Sequence, residues 1–135
     1  MKFLTVNHNN ISELNEFIKT MGDSSQKFRY YSTREPNKVI DNHIITLLLC
    51  DSEIIGYGHL DNDGTKVWLG ICIKEGYCGR GYGKKMMNQL ISHYKGDIYL
   101  SVDKDNKAAI SLYNLFQFKS IKQDDKALYM KRGCL

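Results

Sequence analysis

Read as apolar and polar positions, the chain switches repeatedly between two periods. Residues 2–6 suit a short strand. From Asn10 the spacing becomes helical: Ile11, Leu14, Ile18 and Met21 share one face, and Glu13 stands in capping-box position three residues after Asn10. Gly22 is placed to end that helix. A shorter helical or irregular stretch covers residues 25–31, and Pro36 breaks any helix there. Residues 44–50 form an unbroken apolar run, the mark of a strand covered on both faces. Residues 53–60 follow across the Asp51-Ser52 turn. Asp61-Asn62-Asp63-Gly64 then turns the chain into a third strand over 66–73, completing an antiparallel meander.

Beyond Gly81 the period returns to 3.6, with Met86, Met87, Leu90, Ile91 and Tyr94 on one face. Gly96-Asp97 ends this helix and residues 98–102 read as a central strand. Residues 106–116 form another helix with Ala109, Leu112 and Phe116 inward. Residues 118–121 and 127–131 close the chain as strands around Gln123-Asp124-Asp125. The order β-α-α-β-β-β-α-β-α-β-β predicts a mixed sheet with helices, of the α/β or α+β class.

At 135 residues the chain has the length of a single domain, 1–135, large enough for a real core. Apolar residues are 42% and charged residues 25%, which excludes a largely disordered chain. No apolar run approaches the ~20 residues that cross a bilayer. No apolar stretch follows Met1-Lys2-Phe3-Leu4 either, so the expectation is a cytoplasmic chain without a membrane partner. Cys50, Cys72, Cys78 and Cys134 include no CxxC pair; they read as reduced thiols, and no metal is expected. The net charge of +4 suits a small anionic ligand about as well as a weak nucleic-acid surface. Because the basic residues make no unbroken patch with stacking aromatics, no nucleic-acid partner is expected.

Candidate chemistry concentrates between Ile71 and Lys85, where a strand runs into Gly76, Gly79, Gly81 and Gly83 and these open a helix. Glycine permits positive φ and close approach of backbone to a ligand. The first amides of a helix lack internal partners and face outward at the positive end of its dipole, so the turn is a ready anion site, with Arg80, Lys84 and Lys85 around it. A P-loop would need a glycine at Cys78 and a hydroxyl at Lys85. A dinucleotide fingerprint would need its third glycine one residue later than Gly83. A plain tight turn leaves three alternate glycines unexplained, at a cost to the helix.

What fits is R/Q-x-x-G-x-G/A, the acyl-coenzyme A pyrophosphate loop, read from Cys78 to Gly83. On these residues the chain resembles the GNAT superfamily of N-acetyltransferases. Downstream, residues 98–102 followed by Asn106, Ala109, Tyr113 and Phe118 resemble the family's second stretch, a strand and then N-x-x-A-x-x-x-Y ending near "GF". The two stretches span roughly residues 67–118. Cys78 stands where Arg or Gln begins the loop, and Gln117 replaces the glycine before Phe118.

The resemblance implies a mostly antiparallel sheet splayed between strands 4 and 5, with acetyl-CoA as cofactor. Its pantetheine arm would pair with the backbone of Ile71, Cys72 and Ile73, and Gly70 would start the splay as a bulge. Cys78, Gly79, Arg80, Gly81, Tyr82, Gly83 and Lys84 would hold the pyrophosphate, and Asn106 would bond the pantetheine amides or cap its own helix. Tyr113 would protonate the leaving thiolate. The strand glutamate of many members is absent from Val67-Trp68-Leu69, which leaves His59 and Asp61 as candidate bases, or a water chain. Phe28, Arg29, Tyr30, Arg34 and Trp68 would meet the acceptor, whose aromatic and arginine partners suit an amino sugar, including a nucleotide-linked one. Alternatively Phe28 and Tyr31 cap the core and the arginines are solvated. A peptide or protein acceptor, or a sensor that binds acyl-CoA without turnover, are the other readings. Many relatives dimerise through late strands, which points to residues 127–135 as a homodimer interface.

Overall fold

The computed structural model describes residues 1–21 and 28–133. Gly22 as a helix terminator, residues 25–27 and Cys134 therefore lie outside the described residues. The elements run β1 (Lys2–Thr5), α1 (Ile11–Thr20), α2 (Pro36–Val39), β2 (His43–Asp51), β3 (Glu53–Asn62), β4 (Val67–Ile73), α3 (Tyr82–Ile91), β5 (Ile98–Asp103), α4 (Lys107–Leu115), β6 (Lys119–Gln123) and β7 (Ala127–Arg132). The order is as expected apart from the second helix, expected over residues 25–31 and found instead at Pro36–Val39. The strands form one sheet in the order β1-β2-β3-β4-β5-β7-β6, and every neighbouring pair is antiparallel except β4 with β5.

The apolar run of β2 explains the layering. Leu47 and Leu49 pack on one side with Met86, Met87 and Leu90 of α3, while Leu48 packs on the other with Leu14 and Phe17 of α1. Each such fully buried side chain contributes about 1.5–3 kcal/mol. Gly58 lets α3 lie flush on β3, since a Cβ there would come within 2.7 Å of Met86 Sδ. α3 is thereby pinned with its first turn beside the end of β4. Among the described residues, no helix is long and apolar enough to cross a membrane.

Several local expectations are corrected. The capping box does not form: Asn10 Oδ1 accepts from the Asn7 amide and Asn10 Nδ2 donates to Thr5 O, so the side chain closes the preceding turn instead. Pro36 begins α2 as its first residue, where a missing N–H is harmless. In α4, Ala109, Leu112 and Phe116 pack on the core as expected while half-buried, and Tyr113 joins them as the buried residue. Gly70 is no bulge, because β3 and β4 pair without a shift from Gly56↔Ile73 to Asn62↔Val67.

Candidate active site

β4 and β5 pair only at Val67↔Ile98 and Trp68↔Tyr99. Beyond Trp68 the two strands part. Lys74 donates its amide to Ile55 O on the β3 side. Strand alternation then turns the amides and carbonyls of Leu69, Ile71 and Ile73 toward the side that β5 has left. The opening presents a strand edge that β5 does not pair beyond Trp68, able to accept an extended chain as an added strand.

At the far end of β4 the glycine turn leads into α3. Gly76, Gly79 and Gly81 hold φ of +91°, +79° and +86°. A Cβ at Gly79 or Gly81 would meet nothing within 4 Å, so backbone conformation and not crowding requires glycine there. Gly83 differs: its Cβ would lie 3.0 Å from Leu112 Cδ2, so it serves the close approach of α3 to α4. The first bond of the helix is Lys85 N to Gly81 O, which leaves the preceding amides without intrahelical partners. Around them Arg80 lies over the Tyr77 ring at 5.4 Å, Lys84 and Lys85 are exposed, and Cys78 Sγ approaches Ile73 O at 3.7 Å. The donors, the open space and the strand edge match a diphosphate with an extended amide-bearing arm.

Tyr113 and Asn106 come from α4. Tyr113 is 6% exposed and packs on Phe118 at 6.0 Å. Burial, and then the Cys72 thiol, raise its pKa well above that of a free phenol, so it keeps its proton at neutral pH. Cys72 belongs to the core on the opposite face of the sheet. Burial pushes the Cys72 thiol itself up to about 12, which makes it a poor nucleophile. Asn106 caps α4 by accepting from the Ala109 amide at 3.3 Å, and its NH2 remains free of that bond.

The other wall of the opening is built from histidines and tyrosines. His59 is 2% exposed; its Nδ1 lies 2.7 Å from Tyr57 Oη, which lies 2.6 Å from Tyr31 Oη. The Cε1–Nε2 edge of the imidazole fills the space that a Gly70 side chain would need: each atom would be 2.5 Å from a Cβ there. Burial, with help from His43 and Arg34, holds the pKa of His59 well below the usual histidine range. Next to it, Tyr30 donates to Asp61 Oδ2 at 2.8 Å and stands 2.8 Å from His43 Nε2. A phenol has one proton, so His43 Nε2–H donates to Tyr30, and Nδ1 accepts from Thr46 Oγ1 at 2.7 Å. Burial lowers the His43 pKa to about 4, against the pull of Asp61, and keeps the ring neutral.

Residues 28–30 roof this side. Phe28 Cε1 would touch a Gly70 Cβ at 3.1 Å, the Tyr30 ring lies tilted 4.3 Å from that of His59, and Arg29 reaches β5. Arg29 forks onto both carboxylate oxygens of Asp103, at 3.0 and 3.1 Å. Arg34 lies 4.4 Å over the Tyr30 ring and donates to Tyr30 O. Both arginines are thus engaged within the chain, unlike the phosphate forks expected of them. Trp68 sits where the strands still touch, 5.7 Å from Tyr99, with its indole N–H donated to Asp63.

The structure therefore brings His59, Gly70, Phe28 and Tyr30 to one face of the opening, Tyr113 to the other, and the glycine turn to its end. Tyr57 and Asp103 were not singled out from sequence. The alternation Tyr57-Gly58-His59, which puts the two rings on one face of β3, could have found the first. No local signal marks Asp103, whose partner is 74 residues away.

With this geometry in place, comparisons with known proteins are informative. The model of the acetyltransferase (GNAT) family matches residues 9–118. The chain is 46% identical over 65 residues to the spermine/spermidine N(1)-acetyltransferase of Bacillus subtilis, a match covering 44% of this chain and 43% of that one. The chain spans less than half the length of that relative. In fold it is similar to an acetyltransferase of the GNAT family from Streptococcus pneumoniae (TM-score 0.81, 19% identity, 99% of both chains). It is also similar to yncA from Salmonella typhimurium with its cofactor acetyl-CoA (TM-score 0.74, 13% identity, 98% of this chain and 93% of that one).

Proposed function

The chain belongs to the GNAT acetyltransferase family, and from that premise we propose that it transfers an acetyl group from acetyl-CoA to a primary amine of a small molecule by direct attack. One observation supports this above the others: β4 and β5 part beyond Trp68, with a glycine turn of positive φ at the end of β4. Acetyl-CoA would supply the reactive thioester. The amides at Gly79 and Gly81–Lys84, with Arg80, would hold its diphosphate, each worth ~0.3–1 kcal/mol and effective only together. The strand edge that β5 leaves beside Ile71 and Ile73, with the Asn106 amide, would align the arm.

The acceptor nitrogen attacks from the His59 side as the neutral amine. The C–N bond forms, the C–S bond breaks, the nitrogen sheds a proton toward His59, and Tyr113 gives its proton to the departing sulfur. Tyr113 suits this acid role because burial keeps it protonated. His59 is the stronger base candidate, since Asp61 already accepts from Tyr30.

For the acceptor, the favoured class is a cationic alkylamine of polyamine type. Support comes from the spermine/spermidine relative and from the acceptor face, where Asp61 and Asp103 stand among aromatic rings while Arg29 and Arg34 are engaged. An anionic amino sugar would first have to draw Arg29 off Asp103. The test is thiol release from acetyl-CoA with spermidine, spermine, glucosamine 6-phosphate and a lysine peptide. Preference for the polyamines supports the assignment; preference for the sugar phosphate or peptide replaces the acceptor class. Micromolar acetyl-CoA binding with no release for any amine turns the reading into a sensor.

A further inference from the structure

We propose that Tyr57 and Tyr31 are positioning residues that hold His59 as a base and conduct the acceptor's proton away from it. This rests on the acetyl-transfer reading above. The observation is a three-member chain, His59 Nδ1 to Tyr57 Oη at 2.7 Å and Tyr57 Oη to Tyr31 Oη at 2.6 Å. It runs from a buried ring packed over Gly70 of β4 to a half-buried hydroxyl. Its inner end is fixed by Gly70, whose missing side chain is the space His59 fills.

The surroundings explain why a relay is needed rather than a lone base. The titratable and charged groups facing His59 are His43 from β2, Tyr57 and Asp61 from β3, and Tyr30, Tyr31 and Arg34 from the segment before α2. The His43 ring is 4.6 Å away and Tyr30 is 4.3 Å away. The one carboxylate among them, Asp61, is bonded to Tyr30 and not to His59. Among the described residues an imidazolium here would have no ion-pair partner; it would be buried, next to a second histidine and near a guanidinium. The site can accept a proton only by giving one up.

The proton count closes without any other reactant. As the C–N bond forms, the nitrogen's proton passes to His59 Nε2. The Nδ1 proton passes to Tyr57 Oη, the Tyr57 proton to Tyr31 Oη, and the Tyr31 proton to water. Each group ends with its original number of protons, and exchange with water in the emptied opening restores the resting tautomer. The phenols can serve as carriers because each stands within hydrogen-bond distance of the next, at 2.7 and 2.6 Å, and both rest protonated, with burial raising the Tyr31 pKa to about 12 and that of Tyr57 well above the ordinary value. The mechanism requires that His59 rest as the Nδ1–H tautomer, with a bare Nε2 toward the opening.

Two measurements on the full chain test this. Long-range proton–nitrogen NMR of histidine-labelled protein should show His59 neutral with the proton on Nδ1, and Tyr57→Phe should lose that preference. In steady-state kinetics with spermidine, Tyr57→Phe and Tyr31→Phe should each lower kcat roughly 10- to 100-fold, with the KM for acetyl-CoA unchanged. A solvent proton inventory that is curved in the wild type should become linear in both. Tyr31→Phe keeps its ring among Phe28 and Tyr30, so it stands in if the buried Tyr57→Phe does not fold. An Nε2–H tautomer in the wild type overturns the relay, as do two phenylalanine variants with unchanged kcat and a curved inventory. A wild type that releases no thiol with any amine defeats the transfer reading instead. The tautomer, read without turnover, then still decides the hydrogen-bond direction on which the relay depends.

Discussion

Gly70→Ala isolates the packing that seats His59. The new Cβ would come 2.5 Å from both Cε1 and Nε2 of His59 and 3.1 Å from Phe28 Cε1. Carbon contacts are optimal near 3.5 Å, so the imidazole must retreat by about 1 Å. It has little room: Tyr57 holds Nδ1 and the Tyr30 and His43 rings lie against it. Overpacking of this kind costs about 1–3 kcal/mol, seen as a fall of roughly 2–8 °C in Tm for each kcal/mol in chains bracketing this length. A displaced base should also cost kcat roughly 10²-fold. The decisive assay is a double-mutant cycle by urea denaturation. Gly70→Ala in a His59→Ala background has the ring's volume to use, so its cost should shrink by about 1–2 kcal/mol. Strict additivity, or Gly70→Ala at wild-type stability and turnover, would show that His59 does not fill that space.

Other outcomes follow from single features. Tyr113→Phe should lower kcat roughly 10²-fold or more while the Kd for acetyl-CoA by calorimetry stays within about twofold; equal losses in both would contradict an acid role. Gly81→Glu places a side chain at φ +86° and a negative charge at the turn, and should abolish acetyl-CoA binding in the same measurement; retained micromolar affinity would remove the diphosphate from that turn. Gln117 sits at φ +71° where α4 ends, with its amide on Asn114 O and the Phe118 amide on Tyr113 O. Gln117→Gly should therefore raise stability by about 1 kcal/mol in urea denaturation, and no gain would mean the strain is absent. His43, lowered to about 4 from an ordinary 6.5, and His59, also held well below that value by burial, bind fewer protons folded than unfolded. Their contribution is intact above pH ~6.5 and is lost as pH falls toward 4, at up to ~1.4 kcal/mol per pH unit for each; His43→Gln should flatten that slope in unfolding measured from pH 7.5 to 4.5.

Much of the fold was legible because its signals are local. The period change at Gly81, the continuous apolar run of β2 and the turn at Asp63 each fix an element from neighbouring residues alone, and the element order matched. The glycine turn was legible for the same reason, since φ near +80° at Gly79 and Gly81 is a demand that only sequence-local chemistry answers. The errors lie where a side chain found a distant or unexpected partner. Asn10 closes the turn from Thr5 to Asn7 rather than capping α1. Gly70 reads as a strand bulge by type, but its neighbour across the β3 pairing is a histidine ring that occupies the vacant space. A small residue says only that something comes close; which group does so is decided by the register.

The acceptor face shows the same limit with a functional consequence. The arginines of residues 28–34 suggested an anionic ligand because a guanidinium with no visible partner is counted as free. Arg29 is instead spent on Asp103, across the opening from the Phe28 contact at Gly70. Three consecutive residues thus tie the β4 side of the gap to the β5 side. That inverts the electrostatic reading. On the proposed reading, an ammonium of the acceptor would take Arg29's place on Asp103 and leave the guanidinium to solvent, whereas a phosphate would gain Arg29 only by stranding the carboxylate. Exposed pairs of this sort are worth ~1 kcal/mol or less, weak enough for a ligand to open and specific enough to favour a cation in doing so.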